Sequence, residues 1–338
     1  MGYRKYIMKF RNIFVSIVIA TTMIISAQIA LPTFQAVHTP QTLSSSGTSG
    51  TFTFTNCDAT GKDGPSQSNC NSEYSGTSLE GLVTVSSGIQ TWTVPSTATY
   101  TIEVWGAKGG DGHSTPGTIG GKGARMKGNF SLTQGEELKI LVGQMGTQTN
   151  TSTVNYGGGG GGGTFVAKSD NTPLIVAGGG GAAAIANNGN IDGTTSTNGM
   201  DGGYSGGSGS PGSGGTNGDG GGVGYSNSGG AGFTGNGGQG SSSGQLGNSP
   251  RSFINGGTGQ NTSTPSGNCC GGNGGFGGGS AGYGPGGGGG GYSGGGGGGG
   301  CCQNLTSGGG GGGSYNNGSS EDNSSGVWES HGKVIIIY

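Results

Sequence analysis

The chain has 338 residues, of which 91 are glycine; 28% of the residues are hydrophobic, 8% are charged, and the formal net charge is −2. A chain so poor in apolar residues cannot build a hydrophobic core along its whole length. Its 13 lysines and arginines form no basic cluster, which excludes the electrostatic footprint of a nucleic-acid-binding protein, and we expect no nucleic-acid partner.

The first 36 residues are typical of an export signal. A basic start is followed by an apolar run from Ile13 to Leu31, and Ala27, Ala30 and Ala36 are candidate cleavage positions. The run is also near the shortest length that spans a membrane, so an uncleaved signal anchor is the alternative. Both alternatives predict a secreted protein or one on the extracellular surface, which contacts the membrane only through this segment if it is uncleaved.

Residues 37–50 are rich in Ser, Thr and Gly and are predicted to be a linker. Between residues 51 and 177, short runs of β-branched and aromatic residues alternate with turn residues, which indicates an antiparallel β-sandwich or jelly roll. The predicted strands are Thr51–Phe54, Leu82–Val85, Gln90–Val94, Tyr100–Trp105, Ala124–Leu132, Glu137–Val142, Thr164–Ala167 and Leu174–Ala177.

Residues 178–326 form a glycine-rich insertion, and residues 327–338 end in a hydrophobic strand that we expect to complete the sandwich. A flexible spacer is one interpretation of the insertion, because glycine loses more backbone freedom on ordering than any other residue. The other is an ordered bundle of polyglycine-II-type helices, whose backbones approach closely and bond sideways. We predict the bundle, because a pure linker has no use for the cysteines found there. The fold class predicted is all-β.

Cysteine usage agrees with export. An even number of cysteines in an oxidising compartment predicts disulfides, although six cysteines allow 15 pairings. The economical pairing joins Cys57 to Cys70 and the two doublets to each other, in either register. Metal binding is disfavoured because the doublets lack C-x-x-C spacing. The cysteines are Cys57, Cys70, Cys269, Cys270, Cys301 and Cys302.

The sequence predicts no catalytic, cofactor or metal site. None of the three histidines (His38, His113 and His331) lies near a nucleophile motif, and the paired carboxylates are adjacent loop residues. Matches to G-x-G-x-x-G arise by chance at this glycine content, and none lies between a strand and a helix. We therefore expect a protein that is not an enzyme.

In order along residues 51–338, the sequence resembles the glycine-rich extracellular region of the anaplastic lymphoma kinase and leukocyte tyrosine kinase receptors. The segments that carry the resemblance are Cys57–Cys70, Gln90–Pro95, Thr99–Ile102, Trp105–Gly110, Leu141–Gly146, Gly157–Val166, Pro173–Gly181 and His331–Ile336. The chain departs from these receptors in having no H-R-D or D-F-G kinase motif.

This resemblance implies a tumour-necrosis-factor-like sandwich carrying inserted polyglycine helices, a Cys57–Cys70 disulfide and binding of small protein ligands. Acidic residues near the last strands contact ligand in the receptors, and Glu321 and Asp322 lie in the corresponding loop. We expect a non-catalytic module for an extracellular protein or glycan; the alternative is a structural or adhesive surface protein with a glycine spacer. The aromatic residues that could form a binding platform or anchor the glycine region are Tyr204, Tyr225, Phe233, Phe276, Tyr283 and Tyr292.

Overall fold

The computed structural model describes residues 50–112, 118–148, 157–185, 189–204, 206, 209–225, 227–241, 246–262, 271–300 and 306–338. The predicted leader (1–36) and residues 37–49 of the predicted linker lie outside the described residues. So do the two cysteine doublets, 269–270 and 301–302, and the histidines at 38 and 113.

Two antiparallel sheets make up the fold. The strands are β1 (Thr51–Phe54), β2 (Val83–Ser86), β3 (Ile89–Thr93), β4 (Ala98–Trp105), β5 (Gly123–Leu132), β6 (Glu137–Leu141), β7 (Thr164–Lys168), β8 (Pro173–Ala177), β9 (Tyr315–Asn316), β10 (Ser324–Trp328) and β11 (Lys333–Ile337). Sheet A has the order β1-β11-β4-β5-β10, and sheet B has the order β2-β3-β6-β7-β8-β9. A helix, α1 (Gln67–Glu73), and a 3-10 turn (Phe253–Asn255) complete the described elements. The all-β sandwich predicted from the strand pattern is confirmed.

The last strand occupies an inner position of sheet A. β11 pairs with β1 on one side, where Phe52 opposes Ile336, and with β4 on the other, where Val104 opposes Val334. Val334 and Ile336 are fully buried between the sheets, as alternation along a strand requires. The C-terminal strand therefore joins the first strand of the sandwich to the rest of sheet A.

An aromatic group centred on Trp92 fills the middle of the sandwich. The ring centroid of Trp92 lies 4.9 Å from that of Phe52, 6.0 Å from that of Phe54 and 6.3 Å from that of Tyr100. Trp92 is on sheet B and the other three are on sheet A, so these contacts join the sheets across the core. Aromatic packing of this kind adds to the stabilisation from burial alone.

The segment between β1 and β2 covers an edge of each sheet. The Gln67 side chain donates from Nε2 to the carbonyl of Val83 at 3.0 Å and accepts from the amide of Val85 at 2.7 Å, as a neighbouring strand would. Ser78 Oγ donates to the carbonyl of Thr51 at 2.6 Å. Satisfying edge groups in this way protects a sheet from pairing with other chains.

The strands β9 and β10, helix α1 and the 3-10 turn were not predicted from the sequence. β9 is only two residues long and β10 begins with Ser-Ser-Gly, so neither gives a continuous β-strand signal, and they form by pairing with β8 and β5. Helix α1 is seven residues long, too short to produce a helical period, and begins at the capping residue Ser66. No helix in these described ranges is long and apolar enough to cross a membrane.

The outer face of sheet B is covered by residues from the glycine-rich region. Leu141, Phe165 and Val176 of sheet B form a second apolar cluster with Phe233, Phe253 and Phe276. Phe253 stacks on Phe165 with ring centroids 5.2 Å apart and on Phe233 at 4.9 Å. These aromatic contacts attach the glycine-rich region to the sandwich.

The buried glycine tracts bond sideways to one another through their backbones. Gly179 donates to the carbonyl of Gly290 at 2.8 Å, Gly290 donates to Gly161 at 2.9 Å, and Gly312 donates to Gly179 at 2.8 Å. We call the laterally bonded tracts 157–163, 178–181, 286–291, 294–300 and 308–313 the glycine array. Neighbouring backbones meet where other residues carry side chains, so the array requires glycine for close approach.

Candidate binding face

The outer face of sheet A carries an ordered grid of side chains. Each row crosses β11, β4 and β5 in that order. The three rows are Lys333, Trp105 and Arg125; Ile335, Glu103 and Lys127; and Ile337, Thr101 and Asn129. These are the outward positions of β11, β4 and β5, because the residues between them point into the core. We call these nine residues the sheet A grid; it combines charged and polar residues, one tryptophan and two partly exposed isoleucines.

Arg125 is the centre of an ion-pair network on the grid. Its guanidinium contacts Glu103 through Nε and Asp322 through Nη2, the latter at 3.0 Å, and Nη1 donates to the Asp322 carbonyl at 3.4 Å. The hydrogen bond that Arg125 donates to Asp322, with a smaller contribution from the one to Glu103, raises the pKa of Arg125. Hydrogen bonding to Arg125 lowers the pKa of Asp322. A guanidinium held by two carboxylates has a fixed orientation, which favours specific recognition.

Lys333 lies over two tryptophans at the end of the grid. Its Nζ is 4.3 Å from the ring centroid of Trp105 and 4.6 Å from that of Trp328. The Trp328 indole donates to the carbonyl of His331 at 2.6 Å, which fixes the ring. Cation–π contacts of this kind hold the ammonium close to the surface of the sheet.

The two acidic residues proposed for ligand contact lie at the border of this grid. Asp322 is exposed, and its backbone amide donates to the carbonyl of Lys127 at 3.0 Å. Glu321 is exposed and accepts from Asn323 Nδ2 at 2.7 Å. The structure thus brings Asp322 into the Arg125 network, while Glu321 contacts its own loop. Their role in binding stays a prediction.

Cys57 and Cys70 form a disulfide that ties the start of the β1–β2 segment to helix α1. Both cysteines are buried against the sandwich core with Tyr74. The disulfide is placed so as to hold the segment that covers the sheet edges. The doublet pairing, Cys269 or Cys270 with Cys301 or Cys302, falls outside the described residues and stays a prediction.

The aromatic residues of the glycine-rich region divide into two groups. Phe233 and Phe276 are buried against sheet B, and Tyr292 stacks on Tyr315 with centroids 4.7 Å apart. Tyr204 and Tyr225 are instead about half exposed, at 52% and 48%. The first group anchors the glycine-rich region, and the second presents its rings to solvent. Tyr283 is partly exposed.

His331 is expected to make folding stability depend on pH. Its Nδ1 accepts a hydrogen bond from the Met145 amide at 3.1 Å, and burial lowers its pKa. The folded state therefore binds this proton less readily than the unfolded state, in which the pKa is about 6.5. The free energy of unfolding should fall as the pH drops below about 6.5, until the lowered folded-state pKa is passed.

Chemical denaturation of the wild type and of His331→Gln between pH 8 and pH 5 measures this effect. Between pH 8 and pH 5 the unfolding free energy of the variant should fall less than that of the wild type. Glutamine can accept the hydrogen bond from the Met145 amide but does not titrate in this interval. Parallel pH curves for the two proteins would contradict the assignment.

Sequence reasoning missed most of this face. It identified Glu321 and Asp322 but not Arg125, Glu103 or Lys333, since only the strand register places them together. The alternation of apolar and polar residues along Tyr100–Trp105 and Ala124–Leu132 does indicate which positions face outward. It identifies Glu103 and Arg125 as solvent-facing charges. In the part of the chain that the structure describes, no group of three His, Cys, Asp or Glu side chains is arranged to hold a metal ion.

Comparison with known proteins gives a partial similarity to a receptor. No protein-family model matches the chain. A stretch of 105 residues, 30% of the chain, is 39% identical to leukocyte tyrosine kinase receptor of the mouse, Mus musculus. The matched stretch spans 12% of that receptor, so the similarity concerns a small part of it.

Proposed function

We propose that this chain is an exported, non-catalytic module that binds an extracellular protein through the outer face of sheet A. The observation that carries the proposal is the sheet A grid, in which an Arg125–Glu103–Asp322 network lies beside outward-facing isoleucines. Ile337 is 39% exposed although it belongs to an inner strand. Apolar residues beside fixed charges suit a protein interface, where burial gives affinity and charge gives specificity.

The partial match supports a receptor-like role. The similar protein is named a tyrosine kinase receptor, and the match spans 12% of it, so the shared stretch is compatible with a non-catalytic part. A sandwich with a disulfide agrees with an extracellular location. Under this proposal residues 1–36 direct export, residues 37–50 are a linker, and Glu321 and Asp322 contribute to the rim of the interface.

We further propose that the sandwich is of the tumour-necrosis-factor-like type and that the glycine array is a bundle of polyglycine-II-type helices. Support comes from the lateral hydrogen bonds among the tracts of the array, since such helices have no internal bonds and satisfy their backbones through neighbours. The bundle would then combine tract 157–163, between β6 and β7, with the tracts of the insertion at residues 178–326, which precedes the final strand in 327–338.

The packing of the array favours a binding module over a structural spacer. Phe233, Phe253 and Phe276 lie against sheet B, so the glycine-rich region covers one face of the sandwich instead of extending away from it. Covering sheet B leaves the outer face of sheet A as the broad open surface of the described sandwich.

Two matched charge insertions test the proposal. Ile337→Arg places a charge in the sheet A grid, and Leu82→Arg places one at a somewhat more exposed leucine, 48% exposed, beside the sheet B strand β2. The full exported chain would be immobilised and tested against the extracellular proteins of its host and against a panel of neutral and acidic glycans.

We expect the screen to identify a partner protein that binds the wild type and the Leu82→Arg variant with similar affinity. Its affinity for Ile337→Arg should be at least tenfold lower. Partners that bind both variants equally, or retention of glycans alone, would overturn the assignment of this face to a protein. A chain that binds nothing in either panel would favour the structural role.

A further inference from the structure

A cleft of about 270 Å³ opens on the outer face of sheet B, where the glycine-rich region stops covering the sheet. It lies between the β2–β3 hairpin and the 3-10 turn at Phe253–Asn255. The hairpin turn has Ser87 and Gly88 with φ of 49° and 80°, the geometry of a tight two-residue turn. The cleft is distinct from the sheet A grid, which is on the opposite sheet.

The floor of the cleft is apolar and rigid. Ile89 and Phe253 contribute to its lining, and Phe253 is only 2% exposed because it stacks on Phe165 and Phe233. Ile254 forms part of the lip and is 45% exposed. A ligand that covered Ile254 would remove its apolar surface from water, which favours binding.

Lys139 is the charged residue of the lining. It occupies an outward position on β6, and its Nζ donates to Asn171 Oδ1 at 2.8 Å. An ammonium has three donors, so one hydrogen bond leaves capacity for a ligand. Three acidic residues are near Lys139 along the chain or in the β7–β8 turn. Glu136 pairs with Lys168, and neither Glu137, two residues earlier on the same strand face, nor Asp170, in the turn, forms an ion pair with Lys139.

Lys139 differs in this respect from the buried or partly buried cations Lys108 and Arg125, although Lys127 on sheet A likewise forms no ion pair with a described residue. Lys108 is paired with Asp111, Arg125 is paired with two carboxylates, and Lys333 is held by two indoles. The lining of the cleft thus combines a cation that has no carboxylate partner among the described residues with an apolar floor. Hydroxyl groups of Ser86, Ser87 and Thr91 complete its polar part.

We propose that this cleft binds a small carboxylate carried on a compact apolar body. The carboxylate accepts from Lys139 and a neighbouring hydroxyl, and the apolar body lies on Ile89 and Phe253 under Ile254. A volume below that of pockets for drug-sized ligands restricts the body to about one ring or one branched chain. A single ammonium beside apolar residues suits a monoanion better than a phosphate, which prefers several donors.

Amide chemical-shift titration of the full ¹⁵N-labelled chain tests the proposal. The probes are benzoate and its uncharged counterpart benzamide. A second pair of probes is the peptide N-acetyl-Gly-Phe with either a free or an amidated C-terminus. This pair shows whether the cleft also binds the carboxylate at the end of a peptide. The variants are Lys139→Met, Ile254→Gln and the matched control Lys127→Met, which removes the same charge from the sheet A grid.

We expect benzoate to shift the amides of Ile89 and Ile254 saturably, with at least tenfold weaker binding of benzamide. Lys139→Met should weaken benzoate binding at least tenfold, Ile254→Gln should weaken it severalfold, and Lys127→Met should leave it unchanged. If Lys139→Met does not fold, the Ile254→Gln and benzamide comparisons still decide the result. Equal binding of benzoate and benzamide, or shifts that never saturate at the cleft, would overturn the proposal.

Discussion

Replacement of Gly162 by alanine is expected to prevent stable folding of the sandwich and the glycine array together. A Cβ atom at this position would overlap the carbonyl oxygen of Phe276, which is backbone and cannot move away by a rotamer change. The same site is fixed by two hydrogen bonds, from Gly162 to Gln144 at 2.9 Å and from Ala107 to Gly162 at 3.0 Å. We expect a loss of at least about 4 kcal/mol in the free energy of unfolding, the range reserved for severe core disruption.

Chemical denaturation followed by tryptophan fluorescence measures this loss, and two glycines provide controls. Gly222→Ala lies in the same glycine-rich region, but the new Cβ would come no closer than 3.1 Å to Ser213 Oγ, so it should cost about 1 kcal/mol at most. Gly76 has open space around it and a φ of 74°, so Gly76→Ala tests the backbone penalty alone, about 1–2 kcal/mol. If Gly162→Ala were no worse than these two, the tracts would not be closely packed in solution.

Truncation of Phe233 should strongly destabilise the aromatic cluster that attaches the glycine-rich region to sheet B. Phe233 is 4% exposed, and its ring centroid lies 4.9 Å from that of Phe253 and 6.1 Å from that of Tyr292. Its backbone amide also donates to the carbonyl of Tyr292 at 2.8 Å. Phe233→Ala removes a buried ring and leaves a cavity, at an expected cost of about 3–5 kcal/mol.

Tyr225→Ala is the matched control, because this aromatic residue belongs to the same glycine-rich region but is 48% exposed. We expect it to change the free energy of unfolding by roughly 0.5 kcal/mol or less. Hydrogen exchange adds a local readout: Phe233→Ala should speed exchange at Ala231 and Tyr292, whose amides bond to Gly278 and Gly313, and Tyr225→Ala should not. Equal effects of the two variants would mean that the glycine-rich region is not anchored through Phe233.

The prediction of the sandwich from sequence succeeded where the strand signal is local. β-Branched and aromatic residues are frequent in Tyr100–Trp105 and in Val334–Tyr338. Both segments form strands whose bounds lie within a residue or two of the expected ones. The same reasoning failed for β10, where Ser324–Trp328 is a strand only because β5 supplies its pairing partner. A local pattern cannot report a partner that lies far away along the chain.

The sequence by itself determined the all-β class, the strands with strong propensity, and a cysteine pair spaced by 13 positions that forms the disulfide. Only the tertiary structure decided which surfaces are open. Arg125 donates a hydrogen bond to Asp322, 197 positions away in the sequence. Lys139 and Phe253 line the same cleft only because the glycine-rich region folds back over sheet B. The reason is physical: strand propensity acts between neighbours in the chain, whereas the position of a charge or a cleft depends on long-range pairing and on which sheet face the glycine-rich region covers.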